Sequence, residues 1–167
     1  MKKKIRSWVH SAVIAALYVL LTHLQNLLLP STTTMAVQFR GSEALCVLAF
    51  FTPAAIPGLA LGCFLFNITS GAALPLDFLV GTLASTLAAA SMWYCRDITL
   101  KGLPLLGLLM PAIFNALLVG WELAEVIGGG FWINAALVAA GELGVLLTLG
   151  VILFYAIKLR KLDKKLF

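Results

Sequence analysis

Residues 131–157 read FWINAALVAAGELGVLLTLGVILFYAI, an apolar run interrupted by a single acid, Glu142. A helix that crosses the hydrocarbon of a bilayer needs about 20 predominantly apolar residues, and this stretch is long enough to do so. The rest of the chain has the same character. Hydrophobic residues fill 62% of its 167 positions and charged residues only 11%, a balance that a soluble domain of this size could carry only by exposing an enormous apolar surface. The sequence therefore describes an integral membrane protein.

Dividing the chain at its proline, glycine and charged punctuation predicts six helices, near 8–29, 42–51, 54–70, 76–95, 104–127 and 131–157. They use up residues 1–167 as one membrane domain. The second is too short to cross alone, and Pro53 and Pro57 predict that the second and third are tilted or partly broken. The MKKKIR start resembles a secretory signal, but the apolar run behind it has no cleavage motif, so the expectation is a retained helix.

Charge sets the expected orientation. Lys2, Lys3, Lys4, Arg6, Arg96, Lys101, Lys158, Arg160, Lys161, Lys164 and Lys165 all fall on one side of a six-span arrangement, which places both termini in the cytoplasm. Arg40 is the exception, in the first outer loop beside Gln38 and Phe39 and three residues ahead of Glu43. The basic excess thus reports topology and gives no reason to expect a nucleic-acid partner.

Apart from Asp97 and Asp163, the acids are Glu43, Asp77, Glu122, Glu125 and Glu142, all at the outer ends or in the interior of predicted helices. A charged side chain at the bilayer centre costs about 2.5–3.5 kcal/mol on insertion scales, so it faces a partner or a wet cavity. Asn115 and Glu122 share one face of the fifth helix, and Asn134 and Glu142 share one face of the sixth. Asn67 and Asp77 add two polar groups, and Trp121, Phe131 and Trp132 add aromatic surface. The expected picture is a binding pocket open outward. Plainer readings stand beside it: the aromatics as an interfacial belt, Arg40 and Glu43 as a solvated pair, and Asp77 as a helix cap.

Other chemistry is not suggested. Cys46, Cys63 and Cys95 lie in separate apolar segments without metal-ligand spacing, and neither His10 nor His23 has a nucleophile or acid at catalytic spacing. Gly128–Gly130 lacks the Lys-Ser or Lys-Thr of a phosphate loop. The expectation is a protein that is not an enzyme and has no cofactor or metal. A proton-coupled secondary transporter remains an alternative, although the halves 1–83 and 84–167 show no repeat.

Five segments carry a resemblance: QFRGSEAL at 38–45, FFTPAAIPGLALGC at 50–63 with Asn67 following, GTLA at 81–84 after Asp77, NALLVGWELA at 115–124 and FWINAALVAAGE at 131–142. In this order they resemble the QueT family of queuosine-precursor transporters, the substrate-binding (S) components of energy-coupling factor (ECF) importers. The resemblance implies a six-helix S-component bundle in the bacterial cytoplasmic membrane. Its partners would be a transmembrane T component and two ATP-binding-cassette (ABC) ATPases, and its ligand a 7-deazaguanine such as queuine or preQ1. An S component for another vitamin-like ligand is the nearby alternative. Gly41 and the polar residues 31–34 depart from the family pattern in the first loop.

A carboxylate accepts both donors on a guanine-like ring edge, a task for Glu142 or Glu43. An ammonium arm would want Asp77 or Glu122, and the ring carbonyl would want Arg40, Gln38 or an asparagine (Asn67, Asn115 or Asn134). Phe39 and Trp132 are candidates to stack the ring. Ala12, Ala15 and Ala16 give the first helix a small face of the kind that lets a partner helix approach, resembling the surface that docks on the T component.

Overall fold

The computed structural model describes residues 2–29, 32, 39–71 and 73–163, with side chains from Lys4 onward. The described residues form an all-helical bundle. Helix α1 spans Lys2–Leu28, a 3₁₀ helix spans Gly41–Phe50, and α2, α3 and α4 span Ala55–Thr69, Asp77–Cys95 and Leu105–Val126. The last helical rod consists of α5, Phe131–Val145, a π-helical turn at Leu146–Gly150, and α6, Val151–Leu159.

Four stretches are long and apolar enough to cross a membrane: Lys4–Leu28, Asp77–Cys95, Leu105–Val126 and Phe131–Leu159. The two shorter ones do different work. Ten residues at a 3₁₀ rise extend about 20 Å against a hydrocarbon core of about 30 Å, so Gly41–Phe50 falls short of spanning alone. It occupies the middle instead, touching every other helical element of the bundle, while α1 to α5 otherwise pack in sequence order.

Local chemistry explains the breaks. After Phe50 the chain turns through Thr52, whose hydroxyl accepts from the Ala54 amide at 3.3 Å, and Ser11 of α1 donates to the Ala54 carbonyl at 2.8 Å. Pro57 lies in the first turn of α2, where the missing N–H had no intrahelical acceptor, so it leaves the helix intact. Between α3 and α4, Lys101 and Gly102 both take positive φ in a tight turn bridged by Leu100 and Leu103. Gly128, Gly129 and Gly130 are all at positive φ and set the sharp passage into α5.

The interior is built from Ile14, Tyr18, Val47, Leu59, Phe66, Met92, Leu108, Leu146 and Phe154. A smaller cluster of Ala84, Val119, Leu123 and Val138 fills the space between α3, α4 and α5. The outer faces carry exposed Val13, Leu17, Leu20, Leu83, Leu117 and Ile152. Such a surface suits lipid and would be untenable in water.

Small residues bring the helix backbones together. A Cβ on Gly62 would stand 2.7 Å from the Tyr18 Cβ, and one on Gly58 would stand 2.9 Å from the Ser11 carbonyl. A Cβ on Gly120 would meet the Ala135 backbone at 2.8 Å. Ala15 belongs to the α1–α2 contact and is 2% exposed, so this member of the expected docking face is covered within the chain. Ala12 and Ala16 stay on the free side of α1.

Overpacking a close helix contact costs about 1–3 kcal/mol. Gly62→Ala is expected to lower the thermal unfolding midpoint of the detergent-purified protein by several degrees. Gly71→Ala, where a Cβ meets nothing within 4 Å, is expected to leave it unchanged. Equal midpoints for the two variants would show that α1 and α2 can move apart without cost.

Candidate functional site

The 3₁₀ pitch gathers the polar interior. At three residues per turn, side chains at i and i+3 eclipse, so Glu43 and Cys46 stand above one another, and Cys46 Sγ donates to Glu43 Oε2 at 3.1 Å. The other carboxylate oxygen accepts a 2.5 Å hydrogen bond from the Tyr18 hydroxyl of α1. One turn along α1, Thr22 bonds Ser42 at 2.7 Å. Helix one is thereby joined to the 3₁₀ helix by these contacts and by Gln25, whose Oε1 accepts the Gly41 amide at 2.7 Å.

Arg40 stands at the N-terminal end of the 3₁₀ helix in extended backbone conformation, and its carbonyl accepts the Glu43 amide at 2.9 Å. Its guanidinium lies buried, 5.5 Å from the centre of the Phe66 ring. Burial disfavours the guanidinium charge, but Tyr18, Cys63, Asp77 and Glu43 around it more than offset this, and the proton is held more tightly than in free arginine. Glu122 and Glu142 also lie within electrostatic range of Arg40. One cation thus sits among four carboxylates.

The remaining polar groups fall into two sets. Asn115 Nδ2 donates to Glu142 Oε1 at 3.0 Å, joining α4 to α5, while Glu142 Oε2 is buried without a protein partner. Where α2 ends and α3 begins, Asn67 Nδ2 donates to the Asp77 carbonyl at 2.7 Å, and Asp77 Oδ2 accepts the Leu74 amide at 2.8 Å. Glu122 of α4 reaches the neighbourhood of Asp77, and both of its carboxylate oxygens are buried without a hydrogen-bond donor. The Asp77 carboxyl and the Leu76 backbone lie beside it.

The structure brings Arg40, Glu43, Asn67, Asp77, Asn115, Glu122, Asn134 and Glu142 all into the interior. They are enclosed, which corrects the expectation of a pocket open outward. Asn134 is occupied by its own connection, donating to the Gly128 and Gly130 carbonyls at 2.8 and 3.1 Å. Phe39 is 47% exposed, with its ring over Gly144, and Trp132 is 80% exposed beside Phe131, so neither aromatic joins the buried set. Gln38 lies outside the described residues.

The buried polar residues that the sequence reading did not single out include Tyr18, Thr22, Ser42, Thr52 and Ser85. For two of them a signal was present. Ser11, Tyr18, Thr22 and Gln25 recur at helical spacing along one stripe of an otherwise apolar α1, which marks a face turned inward. The surface grooves are apolar by contrast, as in the groove of about 330 Å³ between α4 and α5 lined by Ala112, Ala116, Phe131, Trp132 and Ala135. Among the described residues no three His, Cys, Asp or Glu side chains group as metal ligands.

The bundle thus encloses carboxylates, amides and an arginine among its described residues. The profile of the QueT transporter family matches residues 8–159, from the second turn of α1 to the end of α6. The chain belongs to the QueT transporter family. Members of QueT are membrane transporters that act as S components. No curated protein and no solved structure matches the chain.

Removing the hydroxyl of Tyr18 leaves a buried Glu43 oxygen without its donor, an omission that costs about 1–3 kcal/mol. Tyr18→Phe is expected to lower the unfolding midpoint clearly in detergent. Tyr94→Phe, at a highly exposed position, is expected to leave it in place. A Tyr18→Phe protein as stable as the parent would mean that Glu43 finds another donor.

Proposed function

We propose that this QueT-family chain is the substrate-binding S component of an ECF importer in a bacterial cytoplasmic membrane, with both termini cytoplasmic, and that it is not an enzyme. It takes a 7-deazaguanine, queuine or preQ1, from outside. A transmembrane T component and two ABC ATPases drive the uptake, since this chain carries no phosphate-binding loop of its own.

The observation that carries the reading is Glu142. Its Oε1 is held in place by Asn115, and its Oε2 is buried and waiting for a donor. A 7-deazaguanine presents two donors, ring N1–H and the exocyclic amine, along one edge, and a carboxylate is an acceptor-only group that matches such an edge. Arg40 supplies the planar donors that the ring carbonyl needs, and Glu43, fixed by Tyr18 and Cys46, supplies a second acceptor. Because these groups are enclosed, the ligand enters through a rearrangement of the bundle, with the segment around Phe39 and Arg40 nearest to hand.

The docking side of α1 is the face bearing Ala12 and Ala16, with exposed Trp8, Val9 and Val13 around it. Small side chains there allow a helix of the T component to approach closely. Ala15, turned toward α2, has no part in it.

Two outcomes test the proposal. Glu142→Gln replaces one acceptor oxygen by a donor and removes the charge, and it is expected to weaken queuine and preQ1 binding by about 100-fold in calorimetry, in line with about 3 kcal/mol for a buried charge-assisted bond. Unchanged affinity removes Glu142 from the site. Ala12→Leu and Ala16→Leu are expected to bind ligand as the parent does, yet to abolish uptake of labelled ligand by cells that contain the coupling ATPases. Uptake that persists when the ATPases are deleted would favour a secondary transporter.

A further inference from the structure

The turn between α3 and α4 has a chemistry of its own. Helix α3 rises about 27 Å from Asp77 to Cys95, so this turn stands almost a hydrocarbon thickness away from the Asp77 end. Arg96 folds back there. Its guanidinium carbon lies 3.8 Å from the centre of the Trp93 ring, one nitrogen donates to the Trp93 carbonyl at 2.7 Å, and the other is 3.7 Å from Asp97 Oδ2. Arg96 and Asp97 therefore balance one another. Lys101, exposed in the turn, has no ion-pair partner among the described residues. Lys158 of α6 donates to the Gly102 carbonyl at 3.1 Å, which brings the cationic end of α6, with exposed Arg160 and Lys161, against the same turn. Helix α4 starts here at Leu105 and adds the positive end of its dipole.

An apolar trough leads away from these cations. Its first part, about 390 Å³, is lined by Ile98, Leu100, Leu105, Leu106 and Leu109, with Thr99. Its second part is the groove of about 330 Å³ between α4 and α5, and Leu109 lines both. Ala112 and Ala116 of α4 face Ala135 and Ala139 of α5 along it, and these short side chains leave a channel where longer ones would have met. Ile98, Leu100, Leu106, Ile113 and Leu117 along the trough are exposed. From Leu105 to Leu117 α4 rises about 18 Å, close to the depth of one leaflet in a hydrocarbon core about 30 Å thick.

An occupant of this site has to be anionic at one end and apolar over the depth of a leaflet. A partner helix would fill the trough and leave the cations without a counter-charge. A free phosphate would meet the cations and leave the trough bare. A phospholipid with a net negative headgroup satisfies both ends. We propose that the α3–α4 turn and the trough along α4 and α5 hold one anionic phospholipid, its phosphate at Lys101 and Lys158 and an acyl chain laid past Leu109 onto Ala112 and Ala116. The site uses none of the buried polar residues and is independent of solute binding. With the termini cytoplasmic, the lipid belongs to the inner leaflet, whose negative surface attracts basic segments.

Native mass spectrometry of the detergent-purified chain tests this by titration with dioleoyl phosphatidylglycerol or dioleoyl phosphatidylcholine, which share their acyl chains and differ in net charge. The parent is expected to bind one phosphatidylglycerol about 10-fold or more tightly than phosphatidylcholine, and inorganic phosphate is expected not to compete. The double variant Lys101→Gln/Lys158→Gln is expected to weaken phosphatidylglycerol by about 10- to 30-fold, about fivefold for each charge. Lys4→Gln, an exposed cation at the start of α1, is expected to change nothing. Ala116→Phe fills the trough without touching a charge and is expected to weaken both lipids. The unfolding midpoint checks that each variant is folded, and should one fail, the comparison of the two lipids on the parent decides alone. Equal binding of the two lipids by the parent overturns the proposal, as does an equal loss in Lys4→Gln and the double lysine variant, which would mean a diffuse positive end. Full competition by inorganic phosphate overturns it in favour of a free-anion site. Unchanged lipid affinity in Ala116→Phe takes the acyl chain out of the trough, and a parent dimer that Ala116→Phe dissolves gives the trough to a second copy of the chain; either result overturns the proposal.

Discussion

A carboxylate inside an apolar bundle has to be given donors, and the geometry of this molecule follows from doing that for Glu43. The Tyr18 hydroxyl and the Cys46 thiol both reach it, one from α1 and one from the next turn of its own helix. The second contact exists because the segment is wound at three residues per turn. With Glu43 fixed, the 3₁₀ helix has a defined rotation about its axis, and Val47 and Phe50 are aimed into the core against Leu59, Leu108 and Phe154. The polar and apolar parts of the interior are thus aligned by the same residue.

The energetics elsewhere are those of a membrane bundle. Lipid chains are as apolar as the side chains facing them, so helix association depends on close packing and buried polar bonds. Gly58, Gly62 and Gly120 allow the backbones to approach, and Asn67, Asn115, Thr22 and Ser11 tie neighbouring elements with side-chain bonds. The Asn67 and Asn115 ties also orient buried acceptors, the Asn67 Oδ1 and the Glu142 carboxylate. Packing and the polar interior therefore draw on the same set of residues.

Much of this was legible before any coordinates. The expected helices at 76–95, 104–127 and 131–157 agree with Asp77–Cys95, Leu105–Val126 and Phe131–Leu159 to within two residues at each end, because glycine, proline and charge mark the ends of apolar runs unambiguously. That Asp77, Glu122 and Glu142 turn away from lipid was foreseeable from the cost of charge in hydrocarbon, whereas Arg40, expected in an outer loop, is buried with them. Pitch was not. Nothing in GSEALCVLAF distinguishes a 3₁₀ from an α-helix, and the π turn at Leu146–Gly150 leaves no mark in LLTLG. Trp132 was a candidate to stack a ring near the polar set, but it stands about 200° around the helix from Asn134, and its ring faces outward while the amide faces inward. Ala15 and Ala16 look alike in sequence, and only the position of α2 separates the covered one from the free one.

The 3₁₀ segment also acts as a spacer. Rewound at α-helical pitch, its ten residues would shorten by about 5 Å, and positions three apart would fall about 60° out of line. Cys46 would swing off Glu43, and the whole polar face would lose its register with Tyr18. The segment is held from both ends against this: Gln25 of α1 accepts the Gly41 amide at 2.7 Å at one end, and Thr52 closes the turn at the other through the Leu48 carbonyl at 3.0 Å. A change of winding between these anchors would turn Glu43 about the axis of its helix and away from the Tyr18 hydroxyl.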